Sequence, residues 1–179
     1  YALDGATGAK KWEFTRGIEV DSSPVIGANG TVYIQWDDKY IYALNGVTGM
    51  NEWKFEAGTP TAGSYPAIGI DGTVYGGSAD KMVYALEGKT GAKKWEFIPE
   101  AAVAASPAIG VDGTVYIATA GSNFIALDGK TGKMKWREDL SGRIVSSPAI
   151  GADDVVYFGT RSHKVYALDG ATGAKQWEF

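Results

Sequence analysis

Five tryptophans, Trp12, Trp53, Trp95, Trp136 and Trp177, recur at spacings of 41, 42, 41 and 41 residues, and Pro24, Pro66, Pro107 and Pro148 keep the same beat. A period just over 40 residues without apolar positions at helical spacing excludes a helical solenoid and is the length of one four-stranded propeller blade. The chain therefore reads as all-β: a β-propeller of four-stranded antiparallel blades, with about four and a half repeats of ~41 residues. Its 25 glycines, 6 Trp, 10 Tyr and 6 Phe suit many short strands joined by tight turns. The expected division is a half-blade hairpin at 1–14, then blades at 15–56, 57–98, 99–138 and 139–179.

In the first complete unit the expected strands are Ser22–Gly27, Thr31–Trp36, Tyr40–Asn45 and about Asn51–Glu56. A strand proline lacks a ladder donor, so the strand of Pro24 and its copies is an edge. Its small neighbours, such as Ser106-Pro107-Ala108, suit the crowded inner edge where blades converge. Lys10-Lys11-Trp12-Glu13-Phe14 and its copies alternate charge with aromatics, as an outer edge requires to discourage further pairing. Asn29-Gly30, Asp71-Gly72 and Asp112-Gly113 read as two-residue hairpin turns with both positions at positive φ. The fourth copy, Asp153-Asp154, breaks that rule and should be the most strained.

A formal charge of −4 gives no basic field for phosphate backbones, so no nucleic-acid partner is expected. The absence of cysteine removes disulfides, thiolate metal sites and cysteine nucleophiles. No apolar run is long enough for a helical membrane span. The chain opens on Tyr1 in mid-repeat, as a piece of a longer protein would.

The string Ala2, Asp4, Thr7, Gly8, Trp12 recurs as Ala43/Asn45/Thr48/Gly49/Trp53, Ala85/Glu87/Thr90/Gly91/Trp95, Ala126/Asp128/Thr131/Gly132/Trp136 and Ala167/Asp169/Thr172/Gly173/Trp177. It resembles the tryptophan-docking motif of the pyrroloquinoline-quinone-type β-propeller repeat over essentially the whole chain. The resemblance implies that Trp12, Trp53, Trp95, Trp136 and Trp177 lock blade to blade, and that the ring has eight blades, of which this chain is half. An extracytoplasmic or periplasmic location is implied by that resemblance alone. Family enzymes hold a quinone and a calcium ion and commonly carry paired cysteines. This chain has no cysteine and half the blades, so no cofactor and no catalysis are expected, and a quinone-dependent dehydrogenase fragment is the least favoured reading.

Other chemistry has bland alternatives. Ser146, Ser147, His163 and Asp153 or Asp154 nominally supply a triad, but the serines recur as Ser22, Ser23 and Ser106 and read as scaffold. His163 reads as a solvated loop residue without a positioned partner. Asp37-Asp38 and Asp153-Asp154 read as turn carboxylates, because calcium needs about six or more oxygen ligands. No metal site is expected.

Comparing the units divides their loops into two classes. The turns after the first and third strands barely change, whereas the connectors between units and the loops after the second strands change freely. In an antiparallel blade these two variable sets lie at one end, and diversity on loops held by a rigid scaffold suits recognition. The expected function is a non-catalytic binding or scaffold module that recognises a protein or peptide through this face. The expected binding residues are Arg16, Glu19, Trp36, Asp37, Asp38, Tyr65, Asp80, Lys81, Asn123, Arg143, Arg161 and His163. The alternative is a carbohydrate or small-molecule binder using Trp36 and Tyr65, aromatics that the other units do not reproduce. Trp36, at the border of a variable loop, is expected to tolerate truncation better than Trp95. Self-association of two copies into an eight-bladed ring, a homodimer that survives deletion of residues 1–14, is the expected assembly.

Overall fold

The computed structural model describes residues 1–17, 22–58, 64–78 and 80–179. Among these, β1 (Ala2–Leu3) and β2 (Lys10–Trp12) form a two-stranded hairpin, and four antiparallel four-stranded sheets follow. Sheet 1 is β3 (Val25–Ile26), β4 (Val32–Gln35), β5 (Tyr40–Leu44) and β6 (Asn51–Glu56). Sheet 2 is β7 (Ala67–Ile68), β8 (Thr73–Gly77), β9 (Val83–Glu87) and β10 (Lys93–Phe97). Sheet 3 is β11 (Ala108–Ile109), β12 (Thr114–Ala118), β13 (Asn123–Asp128) and β14 (Met134–Asp139), ending one residue beyond the expected division at 138. Sheet 4 is β15 (Ala149–Ile150), β16 (Val155–Gly159), β17 (Val165–Asp169) and β18 (Lys175–Glu178).

Every sheet keeps chain order, and the first strands of successive sheets touch: β3 with β7, β7 with β11, and β11 with β15. The proline strands are therefore where the sheets converge, and the tryptophan strands form the far edges. This is the blade arrangement of a β-propeller.

The inner strands are shorter than the sequence suggests. Only Val25–Ile26 of the expected 22–27 enters the ladder. Before the proline the pairing continues through serine oxygens that act as acceptors: Gln35 N donates to Ser22 Oγ (3.2 Å) and Gly159 N to Ser146 Oγ (2.8 Å). The inner turns also differ from expectation. Only the glycines are left-handed (Gly30, Gly72 and Gly113 at φ 82, 80 and 84°), while Asn29, Asp71 and Asp112 are not. Gly30 N donates to Gly27 O and Gly27 N to Thr31 O, which makes a three-residue loop closed by a left-handed glycine. The aspartate is free to cap: Asp71 Oδ1 accepts from Thr73 N (3.0 Å).

Asp154 occupies that left-handed position in sheet 4 at φ 61°, and its Oδ1 is buried without a hydrogen-bond partner. Burial, reinforced by Asp112 and Asp169, raises its carboxyl above the usual carboxylate value. The folded state therefore holds this proton more tightly than the unfolded chain, and the penalty grows as pH rises through the raised value. Asp154→Gly is expected to stabilise the protein by about 1 kcal/mol or more at neutral pH, from relief of the left-handed strain alone. The gain should shrink toward about pH 4. Urea midpoints at both pH values check this, and an unchanged or lowered midpoint at neutral pH contradicts it.

The core lies between sheets and not in one central mass. Tyr33, Ile41 and Trp53 of sheet 1 pack with Val74 and Leu86 of sheet 2, and the next two interfaces repeat this. A register shift just before each tryptophan, as between Ala43 and Leu44, inserts an extra residue that re-aims the indole toward the following sheet. Nε1 of Trp12, Trp53, Trp95 and Trp136 then donates to Gly46 O, Gly88 O, Gly129 O and Gly170 O at 2.8–2.9 Å.

The turns between third and fourth strands are capped by the side chain at their start. Asp4, Asp128 and Asp169 accept from the threonine three residues on, and Asn45 preserves the cap through its Oδ1 to Thr48 N. At Glu87 the turn is closed by backbone, Gly91 N to Glu87 O at 2.7 Å.

Candidate binding face

The connectors and the loops between second and third strands meet at one end of the sheets and are tied together there. Ala57 N donates to Lys39 O, Leu140 N to Ser122 O, Ala120 N to Ala102 O and Arg161 N to Arg143 O, all at 2.8–3.0 Å. Ser162 Oγ adds a bond to Ser141 O at 2.7 Å. Backbone bonds of this kind do not depend on side-chain identity, so these loops can diverge in sequence and keep one shape. Each tight loop ends in a left-handed residue: Lys39, Lys81, Ser122 and His163, at φ 62–74°. The opposite end carries the near-identical turns.

The structure sorts the expected binding residues. Asp37, Lys81, Arg143, Arg161 and His163 are exposed on the variable face. Arg143 and Arg161 are adjacent through their backbones, and neither forms an ion pair among the described residues. Asp80 is exposed beside Gly58, and Tyr65 is half-buried with its N–H on Ser106 Oγ (2.8 Å). Glu19 lies outside the described residues.

Four expected residues have structural work. Asp38 accepts from Tyr40 N and the Tyr42 hydroxyl and pairs with Arg16 at 3.4 Å. Arg16 in turn lies over the Tyr42 ring, 5.3 Å from its centroid. Burial, with the Asp38 carboxylate adding to it, pushes the Tyr42 hydroxyl up to about 12. Asn123 is buried, donating to Asp139 and meeting Thr119, because it is the first residue of β13 and stands opposite Asp139 of β14 in the ladder. Trp36 is 5% exposed and not displayed at all. Its ring packs on Phe14 (5.1 Å between centroids) and Tyr42 (5.4 Å), because the opening hairpin covers it.

Sequence reasoning missed an apolar space of about 460 Å³ between the opening hairpin and sheet 1. Trp12, Phe14, Val32, Ile34, Trp36 and Leu44 line it. The half-blade count was its one sequence signal. Among the described residues no three of His, Asp and Glu gather to hold a metal ion. Nor is any helix among them long and apolar enough to cross a membrane.

A solved structure of BamB from Moraxella catarrhalis is similar at TM-score 0.78 and 23% identity, over 99% of this chain and 53% of that one. The quinohemoprotein alcohol dehydrogenase ADHIIG from Pseudomonas putida HK5 is similar at TM-score 0.74 and 19% identity, over 94% of this chain and 35% of the enzyme. The quinohemoprotein alcohol dehydrogenase from Comamonas testosteroni is similar at TM-score 0.76 and 19% identity, over 90% and 35%. These likenesses establish the fold, and this chain spans about half the length of that BamB and about a third of the dehydrogenases. No match is found among the curated proteins. The sequence pattern of the family described as outer membrane protein assembly factor BamB matches residues 1–97 and 79–179, which together cover every repeat. The chain therefore belongs to the family of the outer membrane protein assembly factor BamB, whose β-propeller is built from pyrroloquinoline-quinone-type repeats.

Proposed function

We propose that this chain is a non-catalytic propeller module that binds a protein or peptide segment through its variable-loop face, and that two copies close an eight-bladed ring. The carrying observation is the asymmetry of the two ends. Divergent loops are held together by backbone bonds at one end, and near-identical capped turns occupy the other. Membership of a family described as an assembly factor for outer membrane proteins supports a protein partner. The carbohydrate alternative needed an exposed Trp36, and burial of that ring removes its main support.

Arg143 and Arg161 make the displayed end of sheet 4 a cationic patch, which suits a partner segment carrying carboxylates. The test is a titration with peptides tiled across an outer-membrane β-barrel protein. Reversing charge at Arg143 and Arg161 should weaken the peptides that bind by about tenfold or more, with stability unchanged within about 0.5 kcal/mol. Arg16 is unsuitable for this reversal, because its ion pair with Asp38 is structural. Binding that survives both reversals but is lost on altering Asp71-Gly72 or Asp112-Gly113 would place the site on the opposite face.

A further inference from the structure

Sheets 1, 2 and 3 each join the inner turn to the fourth strand through a threonine, and sheet 1 does so with the charges reversed. In sheet 2, Lys94 Nζ donates to Thr73 Oγ1 (2.6 Å), which donates to Asp71 Oδ2 (2.8 Å). Lys135, Thr114 and Asp112 repeat this relay in sheet 3 at 2.6 and 2.7 Å. The ends of each relay are also ion pairs, Asp71 with Lys94 at 3.6 Å and Asp112 with Lys135 at 3.1 Å. In sheet 1 the lysine position holds Glu52 and the aspartate position holds Asn29. Thr31 Oγ1 therefore donates the other way, to Glu52 Oε2 (3.2 Å), while Asn45 Nδ2 donates to Glu52 Oε1 (3.1 Å). The arrangement depends on a neutral residue at position 29. A carboxylate there would stand near Glu52, and the two would compete for the single Thr31 hydroxyl.

Asn29 is also followed by glycine, which has no Cβ to hinder approach of its backbone nitrogen to the asparagine side chain. Asn29 is exposed, and the one hydrogen bond of its side chain among the described residues is to Oδ1, from Thr31 N at 3.2 Å. A second pair of the same kind, Asn45-Gly46, is held differently. Asn45 is half-buried, its Oδ1 accepts from Val47 N and Thr48 N at 3.0 Å each, and its Nδ2 is the group bonded to Glu52. The amide nitrogen is thus tied down at Asn45 and free of protein partners at Asn29.

We propose that Asn29 is a site of spontaneous deamidation, a covalent change that turns the neutral neighbour of Glu52 into a charged one. Gly30 N, having given its proton to solvent hydroxide, bonds to Asn29 Cγ. The Cγ–Nδ2 bond breaks and the nitrogen takes up a proton and leaves as ammonia. Water then opens the succinimide ring at one of its two carbonyls. Opening at Cγ gives aspartate, and opening at the main-chain carbonyl gives isoaspartate, in which the backbone runs through Cγ. One water enters and one ammonia leaves, with no oxidation or reduction.

The fold sets the pace and the consequence. Gly30 N donates to Gly27 O at 2.8 Å, so the turn must open locally before the nitrogen can attack, and the folded chain reacts more slowly at Asn29 than the unfolded chain. Both products add a carboxylate in the same space of about 350 Å³ that Thr31, Asn45, Glu52 and Lys89 line. Lys89 forms no ion pair there among the described residues, whereas the aspartates of sheets 2 and 3 each have a lysine within 4 Å. Isoaspartate also lengthens the turn at the residue before Gly30. Asn29 lies at the end of the near-identical turns, so this inference stands apart from the binding reading of the opposite face.

The experiment incubates the full chain in mildly alkaline buffer, folded and in urea, and follows the peptides of Asn29 and Asn45 by mass spectrometry. The mass gain of an amide exchanged for an acid should appear several-fold faster at Asn29 than at Asn45 in the folded chain. The two rates should converge in urea, where the bonds that hold Asn45 are gone. Equal rates in the folded chain, or Asn45 reacting first, overturn the assignment. The consequence is read separately, by urea midpoints of Asn29→Asp in the parent and in a Glu52→Lys background. Asn29→Asp should lower the midpoint of the parent and leave unchanged or raise that of Glu52→Lys, whose relay then matches sheets 2 and 3. An equal shift in both backgrounds refutes the opposition with Glu52.

Discussion

Trp95→Ala is expected to lower the free energy of unfolding by about 3–5 kcal/mol, the range for truncating a large aromatic in a packed site. The indole is 9% exposed, lies 5.8 Å from the Tyr75 ring between centroids, and donates to Gly129 O at 2.8 Å. Truncation removes that contact area and leaves Gly129 O with the Tyr75 hydroxyl as its one side-chain donor among the described residues. The expectation that Trp36 would tolerate the same change does not survive the structure. Trp36 is 5% exposed and touches Phe14 and Tyr42, so Trp36→Ala should also fall at about 3 kcal/mol or more. Urea unfolding of the two variants side by side checks this. A Trp36→Ala variant within about 1 kcal/mol of the parent would show that the hairpin does not seal that end.

Gly129→Ala is expected to be about as damaging, at about 3 kcal/mol, through crowding and not loss of contact. A methyl group there would lie 2.1 Å from Gly113 O and 2.9 Å from the Tyr75 hydroxyl oxygen. A backbone carbonyl cannot rotate aside as a side chain does, so the turn itself must move. That movement would carry away the carbonyl on which Tyr75 and Trp95 converge. Gly113→Ala is the matched control: its φ is +84° but nothing lies within 4 Å of the added methyl. It should cost only about 1–2 kcal/mol, the left-handed penalty alone. Denaturation midpoints for the pair separate space from backbone conformation, and equal losses would mean that the carbonyl contact is not what selects glycine at 129.

Much of the architecture was legible because it repeats. The tryptophan interval set the blade length, and the proline strand marked the inner edge. The loop comparison placed the variable connectors and the second loops at one end. Local chemistry was partly legible: Asp154 stood out as a non-glycine in a glycine slot, and its φ of 61° bears that out. The turn geometry around it was misjudged, because an Asn-Gly or Asp-Gly pair fits both a two-residue and a three-residue loop. The choice between them is made by which backbone groups the flanking strands leave to be paired.

Local sequence is therefore enough for the period, the strand order and the face on which variation gathers. These follow from local spacing and backbone hydrogen bonding, which repeat in every unit. Which copies of a repeated residue are buried was decided by tertiary structure alone. Trp177 and Trp95 sit in nearly the same local sequence, Lys-Gln-Trp-Glu-Phe and Lys-Lys-Trp-Glu-Phe, yet they are 45% and 9% exposed. Trp36 and Asn123 look like loop residues and are covered. The physical reason is that burial here comes from the neighbouring sheet, some forty residues away along the chain. A residue's own repeat cannot record whether that neighbour is present.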